Sequence, residues 1–241
     1  MTDLMTGKKI KEKKVRPLTR AGEKTLSSGE GDFKPRPLRE IARITAYLAE
    51  TYPEARCGLD FENAYQLLTA TILSAQCTDQ MVNRATPELF RLFPDPQALA
   101  AAEAEEVEQC VKSCGFFRQK AKSIIDCART ITEKFGGQVP GTLEELVTLK
   151  GVGRKTANVV LGNVFGIPGL TVDTHVKRIS LRLELTASQI PERIESDLMV
   201  QIPQKDWTEF SHRVIAHGRT LCLARKPLCG LCTLSLCRAR T

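Results

Sequence analysis

The chain has 241 residues, 42% of them hydrophobic, and a net charge of +7, which suffices for one large domain or two small ones with real cores. No run approaches the roughly 18 consecutive apolar residues of a membrane span, and no apolar signal segment follows the start, which argues against membrane and secreted classes. Without a secretory signal, disulfides are not expected, and the four of nine cysteines that crowd into the last twenty residues read as a metal site.

Residues 1–37 carry ten Lys/Arg against five Asp/Glu and include KKIKEKK. This stretch is poor in apolar residues and reads as a disordered basic tail. It is either an arm for non-specific phosphate contacts or a solvated terminus.

Beyond it, nearly every patterned segment has helical period. Residues 38–50 place Leu38, Ile41, Ile44 and Leu48 on one face, and residues 62–75 read as a buried helix. Residues 79–93 begin at Asp79 as N-cap, with a break or kink expected at Pro87. Amphipathic stretches follow at 103–113 and 117–135, the second ending at Gly136-Gly137. Thr142 and Glu145 form a capping box before a short helix to Leu149. Further helices are predicted at 154–165, from Asp173, at about 190–200 and at 206–221. No alternating strand pattern occurs, so the fold class is all-α.

Residues 149–160, LKGVGRKTANVV, have the form helix, Gly-Val-Gly hairpin, helix. Gly151 and Gly153 can take backbone angles closed to other residues, and the N–H groups around Val152 and the next helix start then form an anion nest. Lys150, Arg154 and Lys155 surround that nest with positive charge, which favours a DNA phosphate over a connection that binds nothing. Lys155 sits at a helix N-terminus, where the dipole disfavours an ammonium and favours the neutral amine. It is either a third phosphate contact or a nucleophile able to form a Schiff base.

Eighteen residues on, TVDTHVKR places Asp173 at a helix start. An isolated V-D-T reads as an N-cap. Beside a phosphate site, a carboxylate also suits a reaction in which positive charge develops on a sugar. At the other end of the chain, Cys222, Cys229, Cys232 and Cys237 have the spacing C-x6-C-x2-C-x4-C, which suits zinc or a 4Fe-4S cluster equally. Arg225 and Lys226 lie in the loop between the first two and can meet phosphates, or be merely solvated.

Taken together, LKGVGRKTANVVL, TVDTH, LSAQCTDQMVN and AHGRTLCLARKPLCGLC resemble the endonuclease III family over residues 38–241. These are helix-hairpin-helix DNA glycosylases with AP lyase activity. The resemblance implies a base excision repair enzyme for oxidised pyrimidines, with Lys155 attacking C1′ and Asp173 assisting base departure. It implies that Gln76 and Phe116 fill the gap left by a flipped nucleotide, although the family has an aliphatic wedge where Phe116 stands. It moves the four cysteines from an open choice to a 4Fe-4S cluster, despite a last gap one residue shorter than the family pattern. Lys150 also departs from the family, which commonly has proline there.

The implied fold is two helical domains with the active site in the cleft between them, residues 57–167 forming a six-helix domain and residues 38–56 with 168–241 a cluster domain. The implied partner is double-stranded DNA carrying oxidised pyrimidines or abasic sites, bound by a monomer. The implied location is the cytoplasm at a bacterial nucleoid, or the nucleus of a eukaryote. The competing class is a non-catalytic DNA-binding or redox-sensing protein on the same scaffold, against which the pairing of Lys155 with Asp173 argues. Lys155 likewise argues against a relative acting on adenine mispairs, and the cysteines against one for oxidised guanine.

Overall fold

The computed structural model describes residues 33–239. Most of the predicted tail, 1–32, therefore lies outside the described residues. Residues 33–37 are described, and there Arg36 is buried, donating to Glu40 at 2.8 Å with Glu184 at 3.7 Å.

Among the described residues the fold is all-helical, without strands. In order come α1 (Leu38–Thr51), α2 (Ala64–Leu73), α3 (Asp79–Leu92), α4 (Pro96–Ala100), α5 (Ala104–Val111), α6 (Phe117–Phe135), α7 (Leu143–Leu146), α8 (Arg154–Val164), α9 (Thr174–Arg182), α10 (Pro191–Gln201) and α11 (Trp207–Thr220), with a short 3₁₀ turn at Gln204–Asp206.

The helices build two hydrophobic cores. The first gathers side chains from α2 to α8 around Leu67, Leu68, Leu73, Val82 and Ile124. The second joins Ile41, Ile44 and Leu48 of α1 to Ile179, Leu198, Phe210 and Val214 from the C-terminal helices. Helix α2 is buried on almost every side, so hydrophobic character all round marks a central helix rather than a surface one.

Three expectations need correction. Leu38 is 76% exposed while Ile41, Ile44 and Leu48 are buried, because it begins the first turn of α1 and overhangs the core. The N-cap of α3 is Thr78, which accepts from Met81 N–H, and Asp79 is already helical. Helix α3 also runs unbroken through Pro87. Proline inside a helix costs about 3 kcal/mol. Val82 and Leu89 on either side of it are fully buried, and each such side chain contributes about 1.5–3 kcal/mol. Packing outweighs the break. Helix α4 had no expected counterpart, although Asp95 caps it by accepting from Ala98 N–H and Pro96 occupies its first position.

Candidate active site

The hairpin follows from local chemistry. Gly151 has φ +79, and a Cβ there would lie 3.3 Å from the Ser123 Cβ and 3.4 Å from Ile72 Cγ2. Glycine is thus required both for the turn and for packing on α2 and α6. Gly153 differs from expectation. Its backbone is ordinary and extended, φ −99 and ψ 176, and a Cβ would meet nothing within 4 Å. What a side chain at 153 would obstruct is whatever approaches from outside. Val152 is buried as the anchor of the turn, and its N–H is taken by Leu149 O at 3.2 Å. Its contribution to a nest is therefore backbone shape, not a free donor.

Gly153 is the N-cap of α8 and supplies no side-chain acceptor. The first-turn N–H groups of Arg154, Lys155 and Thr156 face outward without a side-chain cap, which is the condition for anion binding. Lys155 is exposed and makes no hydrogen bond or ion pair among the described residues. Lys150, at the hairpin entry, is exposed too.

Arg154 corrects the picture of a nest ringed by charge. Its Nε and Nη2 donate to Glu195 at 2.8 and 2.9 Å, a bidentate pair with a carboxylate that is 6% exposed. The Glu195 carboxylate beside it pushes the Arg154 guanidinium further up. Asn158 donates to the same carboxylate at 3.1 Å and to Leu170 O at 2.9 Å. Arg154 is thus a strut from α8 to α10. Neither Glu195 nor Asn158 was read from the sequence as part of this region. The available signal was that Arg154 and Asn158, four apart, share one helix face.

The segment after α8 turns back along it. Ile167 N–H donates to Leu161 O at 3.1 Å, and Gly169 lies so close to Asn158 that a Cβ would come within 2.7 Å of its carbonyl oxygen. As the segment advances from 167 to 169, its contacts retreat from 161 to 158. Beyond it, Thr171 N–H donates to Ser211 Oγ of α11 at 3.0 Å. Asp173 caps α9 by accepting from Val176 N–H at 2.8 Å through Oδ1, and its charge also acts on the His175 ring.

Gln76 and Phe116 stand next to each other on two turns. Both are non-glycine residues in the left-handed region, φ 53 and 57. A Cβ on Gly115 would sit 3.9 Å from Gln76 O, so the two turns touch. Phe116 is 72% exposed, whereas Phe117 packs against the first core. Exposed Glu184 shares this left-handed backbone, with φ 52.

The C-terminal cysteines line one small pocket with Leu221, Pro227, Leu228 and Leu234. No group of three or more His, Cys, Asp or Glu among the described residues stands in metal-holding geometry, so the expected thiolate cage is not drawn up around a centre. The donor set nevertheless fits a thiolate-bound group. Burial first, and then Cys222, Cys232 and Cys229 close by, push the Cys237 thiol up, against the Ala239 N–H. Outer contacts are in place, with Arg182 Nη1 3.1 Å from Cys222 Sγ and Tyr47 Oη 3.6 Å from Cys232 Sγ. Arg178 and Arg182 on α9 also donate to the carbonyls of Gly218, Cys222, Leu223 and Ala224, which fastens the loop presenting the exposed Arg225 and Lys226.

The three histidines are structural: His217 is buried against Tyr52 Oη at 3.0 Å, His212 meets Asn163 at 3.0 Å, and His175 meets Arg178 at 3.2 Å.

Residues 69–204 match the family model of the HhH-GPD superfamily base excision DNA repair proteins. The chain is 57% identical to endonuclease III of Synechocystis sp. over 198 residues, covering 82% of this chain and 90% of the relative. This chain belongs to the endonuclease III family. It is also 43% identical to endonuclease III of Bacillus subtilis, covering 83% of this chain and 93% of the relative. A solved structure of a trapped endonuclease III–DNA covalent intermediate superposes with a TM-score of 0.81 at 40% identity, over 85% of this chain and 97% of that one. As a member of the endonuclease III family, it has the fold that the helical period and the hairpin motif implied.

Proposed function

We propose that this chain is a bifunctional DNA glycosylase and AP lyase whose chemistry is carried by Lys155 and Asp173, acting on oxidised pyrimidines in duplex DNA. What supports the reading is an exposed lysine in the first turn of a helix without a side-chain cap, followed in the chain by Asp173, which caps the next helix through one carboxylate oxygen. An endonuclease III–DNA complex trapped as a covalent intermediate is among the similar structures, which supports a covalent route.

The hairpin backbone and the first turn of α8 hold a DNA phosphate, with Lys150, Arg225 and Lys226 adding charge. Gln76 and Phe116 enter the stack where the damaged nucleotide has turned out. The neutral amine of Lys155 attacks C1′ as the C1′–base bond breaks and its electron pair leaves with the base. Asp173 faces the positive charge that grows on the sugar. The amine loses its protons and the sugar ring opens, giving a Schiff base. Loss of a C2′ proton then expels the 3′ phosphate and nicks the strand. Hydrolysis of the C=N bond frees Lys155.

Cys222, Cys229, Cys232 and Cys237 would hold a 4Fe-4S cluster, which when bound folds the C-terminal loop that offers Arg225 and Lys226. The two cores correspond in this reading to two domains, 57–167 and 38–56 with 168–241. No helix among the described residues is long and apolar enough to cross a membrane. In this reading the enzyme works as a monomer on DNA, in the cytoplasm at a bacterial nucleoid.

Borohydride trapping on an oligonucleotide with thymine glycol tests the chemistry. A covalent adduct is expected with the natural chain and none with Lys155→Ala. An adduct that survives in that variant, or none with any oxidised pyrimidine or abasic site, sinks the assignment. Purified protein is expected to be brown, and a colourless zinc-loaded protein would replace the cluster with zinc.

A further inference from the structure

Two cysteines outside the C-terminal group sit directly beneath the residues that enter the DNA stack. Cys77 follows Gln76 on the turn between α2 and α3, and Cys114 precedes Gly115 and Phe116 on the turn between α5 and α6. Cys77 is half-buried and Cys114 has no exposed surface. Cys77 lies near enough to Cys114 to act on its thiol. The backbones meet as well, since Gly115 abuts Gln76 O. Beside Cys114 lies Lys120, 6% exposed, whose Nζ is buried with no hydrogen-bond partner. Cys57, Cys110 and Cys127 show no thiol contact of this kind among the described residues.

We propose that Cys77 and Cys114 form an oxidative modification site, at which a hydroperoxide converts the thiol pair to a disulfide that staples the two intercalating turns together. The Cys77 sulfur attacks one peroxide oxygen, the O–O bond breaks, and water leaves, giving a sulfenic acid. The Cys114 sulfur then displaces the sulfenic oxygen, which departs as a second water. Two sulfurs are oxidised and the two peroxide oxygens are reduced, so the step balances. The order of attack follows from the surroundings. Burial first, and then neighbouring Cys77, push the Cys114 thiol up to about 11, with Lys120 acting the other way. Cys114 is therefore the resolving thiol, and the half-buried Cys77 meets the oxidant. A disulfide holds its sulfurs about 2.05 Å apart, so closing it draws the turns inward. Their tips, Gln76 and Phe116, are then locked away from the positions they need in the stack.

The consequence for DNA rests on the glycosylase reading, but the chemical test does not. The holoenzyme is treated with hydrogen peroxide, its free thiols are blocked, and it is digested with trypsin without reduction. Fragment 113–118 contains Cys114 alone, and fragment 57–84 contains Cys57 and Cys77. The expected product is these two fragments joined, about 2 Da lighter than their sum, with tandem mass spectrometry assigning the link to Cys77. Nicking of abasic DNA is expected to slow about tenfold or more, as for a small misplacement of positioning groups, and to return with dithiothreitol. Cys77→Ser is expected to nick normally and to resist peroxide, with visible absorbance reporting on the C-terminal cysteines throughout. Recovery of Cys77 and Cys114 only as blocked thiols or sulfinic acids overturns the site. A linked form that nicks at the reduced rate, or a loss that is equal in Cys77→Ser, overturns its hold on the turns. Absence of nicking by the reduced protein would instead fault the glycosylase reading, with the fragment mass still deciding the disulfide.

Discussion

Helices α8 and α9 begin in opposite ways. Helix α8 starts at Gly153, with no side chain to satisfy its first turn, and Lys155 stands exposed within that turn. Helix α9 starts at Asp173, whose carboxylate takes the Val176 N–H at 2.8 Å. A capped end is finished within the protein. An uncapped, open end gives up roughly the stability a cap supplies, about 1 kcal/mol, and keeps its donors for a ligand. Under the proposed reading, the difference separates an end left open for a phosphate from an end closed by a carboxylate.

The largest effect expected from breaking this contrast is at Asp173. Asparagine caps as well as aspartate, so Asp173→Asn should melt with the natural chain yet remove thymine glycol about a hundredfold more slowly. Asp173→Ala should lose the rate and also about 1 kcal/mol of stability. Equal base release by natural and Asn chains would leave Asp173 as a cap alone. The contrast can also be erased from the other side. Gly153→Asp has room and an ordinary φ, so it should hold or raise the melting temperature while weakening DNA binding about tenfold or more, because a carboxylate then faces the phosphate. Unchanged affinity in a gel-shift titration would show that the nest holds no phosphate.

Arg154→Ala tests the strut. It leaves buried Glu195 with Asn158 as its only hydrogen-bond partner, and should cost about 2 kcal/mol in denaturant unfolding. A loss of DNA affinity without that stability change would return Arg154 to the phosphate site. The smallest effect concerns pH. Burial holds His212 below the ordinary histidine range, with Glu209 opposing. The unfolded chain therefore binds the proton more readily, and His212's contribution is present above about pH 6.5 and lost as the pH falls through its lowered folded value. His212→Asn should flatten the fall in melting temperature between neutral and mildly acid pH, and an unchanged slope would assign that fall to other groups.

Much of this was legible in the chain itself. Helical periods placed α1, α6 and α8 within a residue or two, because amphipathic faces repeat and Gly136 marks an end. The hairpin, Lys155 and Asp173 announced themselves as short local motifs. Contacts between distant segments did not. Nothing in PERIESDL says that Glu195 will receive Arg154, since such a pair exists only once two cores have packed. Pro87 misled for a related reason: its local penalty is readable, while the burial of Val82 and Leu89 that overrides it is not. The open backbone of Gly153 was hidden too, because glycine in a motif does not say whether it is needed for its angles or for the space it leaves.

Left-handed backbone at Gln76 and Phe116 has a consequence for how such a chain can adapt to heat. Each residue bears about 1–2 kcal/mol of conformational strain that glycine would not. Selection for thermal endurance alone therefore pushes both sites toward glycine, while the proposed insertion of both side chains into DNA opposes it. Under that reading durability and repair compete at the two turns, and a lineage moving to hotter surroundings has to find its added stability elsewhere in the helices.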